Sequence, residues 1–287
     1  PVLTSAQQQK IRALSDVDLN TDHNMAPHST MKIASTADLV TIYSVKALQS
    51  LLKFLSKEKI PYKLLGWGAN QLIRDNPYFV YLKLKLPFER RYLEEVREKY
   101  ILPASVSLAN LTSHAVKFGL EGWEVFTGIP ASLGGAIRMN AGTNLGEIGE
   151  LIEQVKVVNS WGELRTVTVD EASFSYRECH FLQNGDVIVE ATLFHKGTNS
   201  EIKEKIQKYL KIRNSTQPLK EKTCGCMFKN QTSEGQACRA GQSLDILGLK
   251  GFQINGAQVS HKHANFMVNT GNTQYDDICQ CLEVLKD

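Results

Sequence analysis

Gly122–Gly146 reads GWEVFTGIPASLGGAIRMNAGTNLG: six glycines (122, 128, 134, 135, 142 and 146), two asparagines (Asn140 and Asn144) and almost no charge. Glycine opens backbone conformations closed to other residues and lets a ligand approach the main chain. A run this rich in glycine makes a poor helix and a poor strand. Its apolar flanks, Trp123, Val125 and Phe126 before it and Ile148 and Leu151 after it, point to burial. The expectation is a buried loop whose N–H groups face something polar, an anionic ligand such as phosphate foremost. A glycine-rich turn system needed only for tight packing fits the same composition.

Upstream of it, Val40–Ser44 predicts a strand, and Ser44 a cap for the helix Lys46–Glu58. That helix carries Leu48, Leu51, Leu52 and Leu55 on one face. Tyr62–Leu65 predicts a short strand running into Gly66-Trp67-Gly68-Ala69-Asn70. This G-x-G lacks the third glycine and the helix of a dinucleotide fingerprint, and Gln71-Leu72-Ile73 reads as continuing strand, which argues against a conventional nicotinamide-binding domain. Tyr78–Leu84 and Ile101–Val106 predict strands, Pro87–Tyr100 a charged solvated face, and Asn110–Phe118 a helix closed by Gly119.

Downstream, Glu153–Asn159 and Glu163–Val169 predict a hairpin around Ser160-Trp161-Gly162, and Asp186–His195 a further strand. Composition shifts at Lys196, where a domain boundary is expected. Beyond it come an amphipathic helix (Glu201–Arg213, with Ile202, Ile206, Tyr209 and Leu210 inward) and a short helix (Arg239–Leu247). A hairpin at Asn255-Gly256, a strand (Ala264–Asn269) and a helix from near Asp276 follow.

The 287 residues suffice for two or three domains. Apolar content of 42% and charged content of 22% are ordinary for a globular protein. A net charge of 33 − 30 = +3 argues against nucleic acid or an anionic membrane as partner. No apolar run approaches a membrane span, and the start has no signal pattern. The sequence begins without methionine, so natural residues upstream are expected. Six cysteines (179, 224, 226, 238, 279, 281) are sparse and late, unlike a disulfide scaffold, and C-x-C spacing is not that of a zinc knuckle. No metal site and a reducing, cytoplasmic compartment are expected.

Taken in order, several motifs together resemble the UDP-N-acetylenolpyruvoylglucosamine reductases of bacterial cell-wall synthesis. They are Gly66-Trp67-Gly68-Ala69-Asn70, Gly128–Ala136 (GIPASLGGA), Met139–Gly142 (MNAG), Tyr176-Arg177, Arg213 with Gln217-Pro218, and Gly225–Asn230 (GCMFKN). Ala240-Gly241, Gly248–Gly251 and Val259–Asn269 complete the set. The match runs from about Asn24 to the last residue, and the next strand follows Tyr176-Arg177 within about ten residues, as in the shorter subgroup.

The resemblance implies an α+β fold: a two-lobed FAD-binding domain of the vanillyl-alcohol-oxidase type (1–195, lobes about 1–95 and 96–195) and a smaller α/β substrate-binding domain (196–287). It implies non-covalent FAD, NADPH as co-substrate, small-molecule substrates and no obligate protein partner. The reaction would be reduction of the enolpyruvyl ether of UDP-N-acetylglucosamine to UDP-N-acetylmuramate.

By the same resemblance, Gly66, Gly68, Ala69 and Asn70, with Gly128, Ser132, Gly134, Gly135 and Ala136, hold FAD, main-chain N–H groups facing its pyrophosphate. Ala69 stands where the family has serine and removes one hydroxyl. Arg177 is the fixed cation for charge developing on the substrate carboxylate; standing alone, Tyr176-Arg177 reads as a surface turn. Cys226 stands where the family has serine or cysteine as proton donor; a thiol with pKa of about 8.5 is protonated at neutral pH yet releases its proton readily. A small core cysteine is the alternative. Cys224 is expected on the opposite side, with a structural role. Tyr176, Lys229, Asn230, His263 and Asn265 are the substrate contacts; His261 and His263 lack a carboxylate partner for a metal.

The family's C-terminal catalytic glutamate has no counterpart. Glu283 lies among Leu282, Val284 and Leu285 in a helix, so the role is not assigned to it; either the natural chain continues past Leu285-Lys286-Asp287, which a helix pattern cut off midway favours, or the protein works without that carboxylate. Two other readings remain: another FAD oxidoreductase of this fold, disfavoured by the Cys226–Asn230 motif, and a non-catalytic UDP-sugar- or flavin-binding protein.

Overall fold

A computed structural model describes residues 2–233 and 236–286; Asp287, where the expected continuation begins, lies outside them. The elements are α1 (Ser5–Arg12), β1 (Val17–Asn24), β2 (Thr36–Ile42), α2 (Val45–Lys57), β3 (Tyr62–Leu64), β4 (Val80–Leu84), β5 (Lys99–Pro103), α3 (Leu108–Phe118), α4 (Leu133–Arg138), β6 (Gly142–Thr143) and β7 (Gly146–Glu147). They continue with β8 (Ile152–Val158), β9 (Leu164–Thr168), β10 (Phe174–Ser175), β11 (Glu178–Cys179), β12 (Val187–Phe194), α5 (Ile202–Thr216), β13 (Thr223–Cys226), β14 (Gln231–Ser233) and β15 (Gln236–Cys238). The last are α6 (Ala240–Ile246), β16 (Gln253–Ile254), β17 (Ala257–Val259), β18 (Phe266–Asn269) and α7 (Tyr275–Val284). No described helix is long and apolar enough to cross a membrane.

Contacts divide the chain into two units out of chain order. One takes the chain up to Asp22, Asp38–Gly66 and Pro77–Tyr209; the other takes His23–Ala37, Trp67–Asn76 and the chain from Leu210 onward. The division falls inside α5, and two N-terminal segments join the C-terminal unit.

In the first unit one sheet has strand order β1-β2-β4-β3, with β2 and β3 both parallel to β4. A parallel neighbour requires a crossover, and α2 supplies it. Ser44 caps α2, its Oγ accepting from Ala47 N–H at 3.2 Å. The leucine face expected from spacing is buried with Val40, Ile42, Val80 and Leu82. The second sheet, β5-β12-β8-β9, is antiparallel throughout. Ser107 caps α3, and Gly119 ends it at φ +66°.

The glycine-rich stretch is not the continuous loop expected from its composition. A 3₁₀ turn forms at Trp123–Phe126, and α4 follows, capped by Ser132. Trp123 is fully buried, and its Nε1–H donates to Phe194 O at 2.9 Å, tying the stretch to the end of β12. Tertiary burial here overrides a weak local preference. Val17–Asn24 is a strand that its polar sequence, VDLNTDHN, conceals. One further reading changes: Gln71-Leu72-Ile73 is not a strand. Instead Leu72 packs on the core of the second unit with Met31, Ile33, Ala257, Met267 and Ile278.

That second unit is built on the antiparallel sheet β13-β18-β17-β16. The hairpin β16–β17 turns at Asn255 with φ +47°, the left-handed conformation expected of Asn-Gly.

Candidate active site

Two glycine-bearing segments of the first unit converge on Ser132. A Cβ added at Gly66 or at Gly135 would come within 3.2 Å of Ser132 Oγ, and Ser132 also bridges Ser107. Neither glycine has spare room for a side chain beside that hydroxyl. The donors, however, are not arranged as expected. Leu133 N–H donates to Val106 O and Gly134 N–H to Ala104 O, both at 2.8 Å; Gly135 N–H donates to Ser132 Oγ at 3.4 Å and Ala136 N–H to Ser132 O at 2.9 Å. The expectation that Gly134, Gly135 and Ala136 offer open N–H groups is corrected: α4 and its neighbours consume them. What glycine contributes at 134 is close approach, since a Cβ would lie 2.8 Å from Ala104 Cβ. Gly128, in the same segment, has φ +71°.

In the second unit Gly68 has φ +63°, and a Cβ there would lie 2.1 Å from His28 O. Its carbonyl accepts from Thr30 N–H at 3.2 Å. Ala69 and Asn70 complete this turn, and Asn70 is exposed.

Arg177 has the most fully determined setting. β10 pairs with β11 so that Ser175 faces Glu178, leaving Tyr176-Arg177 as a two-residue turn with Arg177 at φ +58°. Its Nη1–H donates to Asn140 O at 3.1 Å and its Nη2–H to Gly142 O at 2.8 Å. Tyr176 is largely exposed, and the guanidinium lies 5.1 Å from its ring centre. A guanidinium has five N–H donors, so this cradle leaves donors available to a carboxylate. Sequence reasoning did not foresee that MNAG would serve the arginine; the one local signal was Asn140, a residue type that tolerates the left-handed backbone it adopts here at φ +38°.

Cys226 is exposed at the end of β13, whereas Cys224 is half-buried against the second unit's core, and burial pushes its thiol pKa up. Their separation has a different cause from the one expected. Residues two apart in a regular strand share a face. Here Thr223 pairs with Val268 and Cys226 with Phe266, so β13 holds one extra residue, and Gly225 takes φ +88°. The bulge, not strand alternation, sends the two thiols apart.

Asn265 is buried, and both ends of its side-chain amide are bonded to the main chain of Phe228. These bonds make Asn265 a brace for residues 226–228. Asn230 Oδ1 accepts from Ala240 N–H at 3.2 Å at the start of α6, and Lys229 is exposed. His263 is partly buried, its pKa lowered first by that burial and then by Lys250; its ring stands 4.9 Å from that of Phe266. Among the described residues no cluster of three or more His, Cys, Asp or Glu is arranged for a metal.

Comparison with known proteins accounts for both parts of the chain. Residues 37–168 match the FAD binding domain family, and residues 217–287 match the C-terminal domain of UDP-N-acetylenolpyruvoylglucosamine reductase. The reductase of Halalkalibacterium halodurans is 34% identical over 281 residues, covering 97% of this chain and 92% of that protein. The Chlamydia pneumoniae reductase is also 34% identical, over 262 residues, covering 90% of this chain and 83% of that protein. The crystal structure of the Thermus caldophilus enzyme superimposes with a TM-score of 0.78 at 30% identity, covering 94% of each chain. With an FAD-binding domain ahead of that reductase's own C-terminal domain, and relatives matched over nearly their whole length, this chain belongs to the UDP-N-acetylenolpyruvoylglucosamine reductases, a family of α+β oxidoreductases.

Proposed function

We propose that this protein uses NADPH and non-covalent FAD to reduce the enolpyruvyl ether of UDP-N-acetylglucosamine to UDP-N-acetylmuramate in the cytoplasm. FAD, when bound, supplies the hydride transfer from NADPH to the methylene carbon of the enolpyruvyl group. The chain's part is to hold the reactants, balance the charge and deliver a proton. Gly66, Gly68, Ala69 and Asn70, together with Gly128, Ser132 and Gly134–Ala136, hold the cofactor by close main-chain approach.

The observation that carries the reading is the Arg177 cradle. A guanidinium fixed by two carbonyl oxygens costs little reorganisation when negative charge builds on the substrate carboxylate. It binds that carboxylate in a planar, bidentate way that lysine does not reproduce. Cys226 then gives its proton to the alpha carbon: the S–H bond breaks, a C–H bond forms, and the thiolate is reprotonated from solvent. Tyr176, Lys229, Asn230 and His263 contact the rest of the UDP-sugar. The test is sequential and anaerobic: NADPH should bleach the flavin, and the enolpyruvyl substrate should restore its colour. No bleaching overturns the reductant; bleaching without recovery overturns the substrate.

A further inference from the structure

We propose that Glu147, held by Asn140, is a positioning residue for Arg177 that steers the guanidinium without occupying its donors; this rests on the assignment of Arg177 to the substrate carboxylate. Asn140 is 1% exposed, sits at φ +38°, and has its side chain fully committed. Its Nδ2 donates to Glu147 Oε2 at 2.7 Å and to Ser175 O at 3.0 Å, and its Oδ1 accepts from Gly149 N–H at 3.0 Å. Its own carbonyl is one of the two that hold Arg177. One buried residue therefore grips both partners.

Glu147 Oε1 stands 3.9 Å from Arg177 Nη1. That is too long for a hydrogen bond but close enough for a screened attraction between two partly exposed side chains. A carboxylate bonded directly to Arg177 would compete with the carboxylate of the substrate. Held back by Asn140, it orients the cation and leaves the donor edge open. Gly142 completes the device. A Cβ there would come 2.8 Å from both Glu147 Cγ and Gly146 O and 3.2 Å from Arg177 Nη1, so any other residue would crowd the pair.

The test follows the two half-reactions in Glu147→Ala, Glu147→Gln and Glu147→Asp, each alone and with Arg177→Lys. Glu147→Ala should slow substrate-driven reoxidation roughly 10- to 100-fold, the scale of a misplaced catalytic group, while reduction by NADPH stays unchanged; the Asn140 Nδ2–H left without its acceptor should lower the melting temperature as well. Glu147→Gln keeps an acceptor for Asn140 but not the charge, so it should preserve the fold and still slow reoxidation severalfold. In the Arg177→Lys background Glu147→Ala should add less than about twofold, because residues acting through one another are not additive. Should Glu147→Ala fail to fold, Glu147→Asp, too short to reach both partners, should slow reoxidation severalfold. Normal reoxidation in the Glu147 variants beside a slow Arg177→Lys overturns the proposal and leaves the role of Arg177 standing. Normal reoxidation in Arg177→Lys overturns that role itself. Additive losses, or equal slowing of both half-reactions, assign Glu147 to folding and overturn the proposal.

Discussion

Asn265 holds Phe228 by both of its peptide groups: Phe228 N–H donates to Asn265 Oδ1 at 2.9 Å, and Asn265 Nδ2–H donates to Phe228 O at 2.8 Å. Met227 N–H also donates to Asn265 O at 2.8 Å. A buried side chain thus extends the ladder between β13 and β18 past the bulge, where strand pairing has stopped. Asn265→Ala removes two bonds and strands the Phe228 N–H, a loss of about 1–3 kcal/mol. Urea unfolding should show a loss of that size, and the substrate half-reaction should fall with it. An unchanged midpoint would mean that water or a neighbour replaces the brace.

Cys226→Ala is expected to leave reduction by NADPH intact and to slow reoxidation by substrate roughly 10²- to 10⁴-fold, the usual worth of a general acid. Cys226→Ser should regain much of the rate. Stopped-flow flavin absorbance measures both steps, and a normal reoxidation rate in Cys226→Ala removes the residue from the mechanism.

Gly68→Ala meets both a left-handed backbone and His28 O at 2.1 Å. Gly248 is the control: its φ is +73°, but nothing lies within 4 Å of an added Cβ. Gly248→Ala should show only the left-handed penalty of about 1–2 kcal/mol. Gly68→Ala should melt lower and retain less flavin per protein. Equal melting and flavin content in the two variants would show that crowding at the Gly66–Asn70 turn has no consequence.

Tyr62 ties β3 to the loop before β12, its hydroxyl donating to Gly185 O at 2.7 Å. Burial, reinforced by Asp186, pushes its pKa up to about 12 from 10. A phenol with a raised folded pKa contributes stability that is complete below the unfolded value, near 10, and is lost as pH climbs through the folded one. Wild type should therefore lose stability between about pH 10 and 12, and Tyr62→Phe should be flatter across that window although weaker below it. Parallel curves would show that other groups govern the alkaline limit.

Local physics made much of this fold legible from residue order alone. Ser44 caps its helix because a serine oxygen at that position meets orphan N–H groups. Gly119 and Asn255 mark a helix end and a hairpin turn because few residues tolerate a left-handed backbone. The leucines of α2 announce a buried face because their spacing is that of a helix. Each of these depends on a few neighbours in the chain. The resemblance, likewise, is an ordered set of short motifs and is complete without coordinates.

Other features depend on groups brought together from far along the chain. Val17–Asn24 looks polar and is a strand because β2 lies beside it. The glycine-rich stretch folds into a turn and a capped helix because Trp123 reaches Phe194. The N–H groups of Leu133 and Gly134 are consumed by Val106 and Ala104, which nothing in GIPASLGGA discloses. Cys224 and Cys226 part because β13 carries one residue more than β18 can pair. Asn140 and Gly142 hold Arg177, 37 and 35 residues further along the chain. A hydrogen bond is short and directional, so its partner is set by where the packed backbone places a donor, and sequence spacing carries no record of that distance.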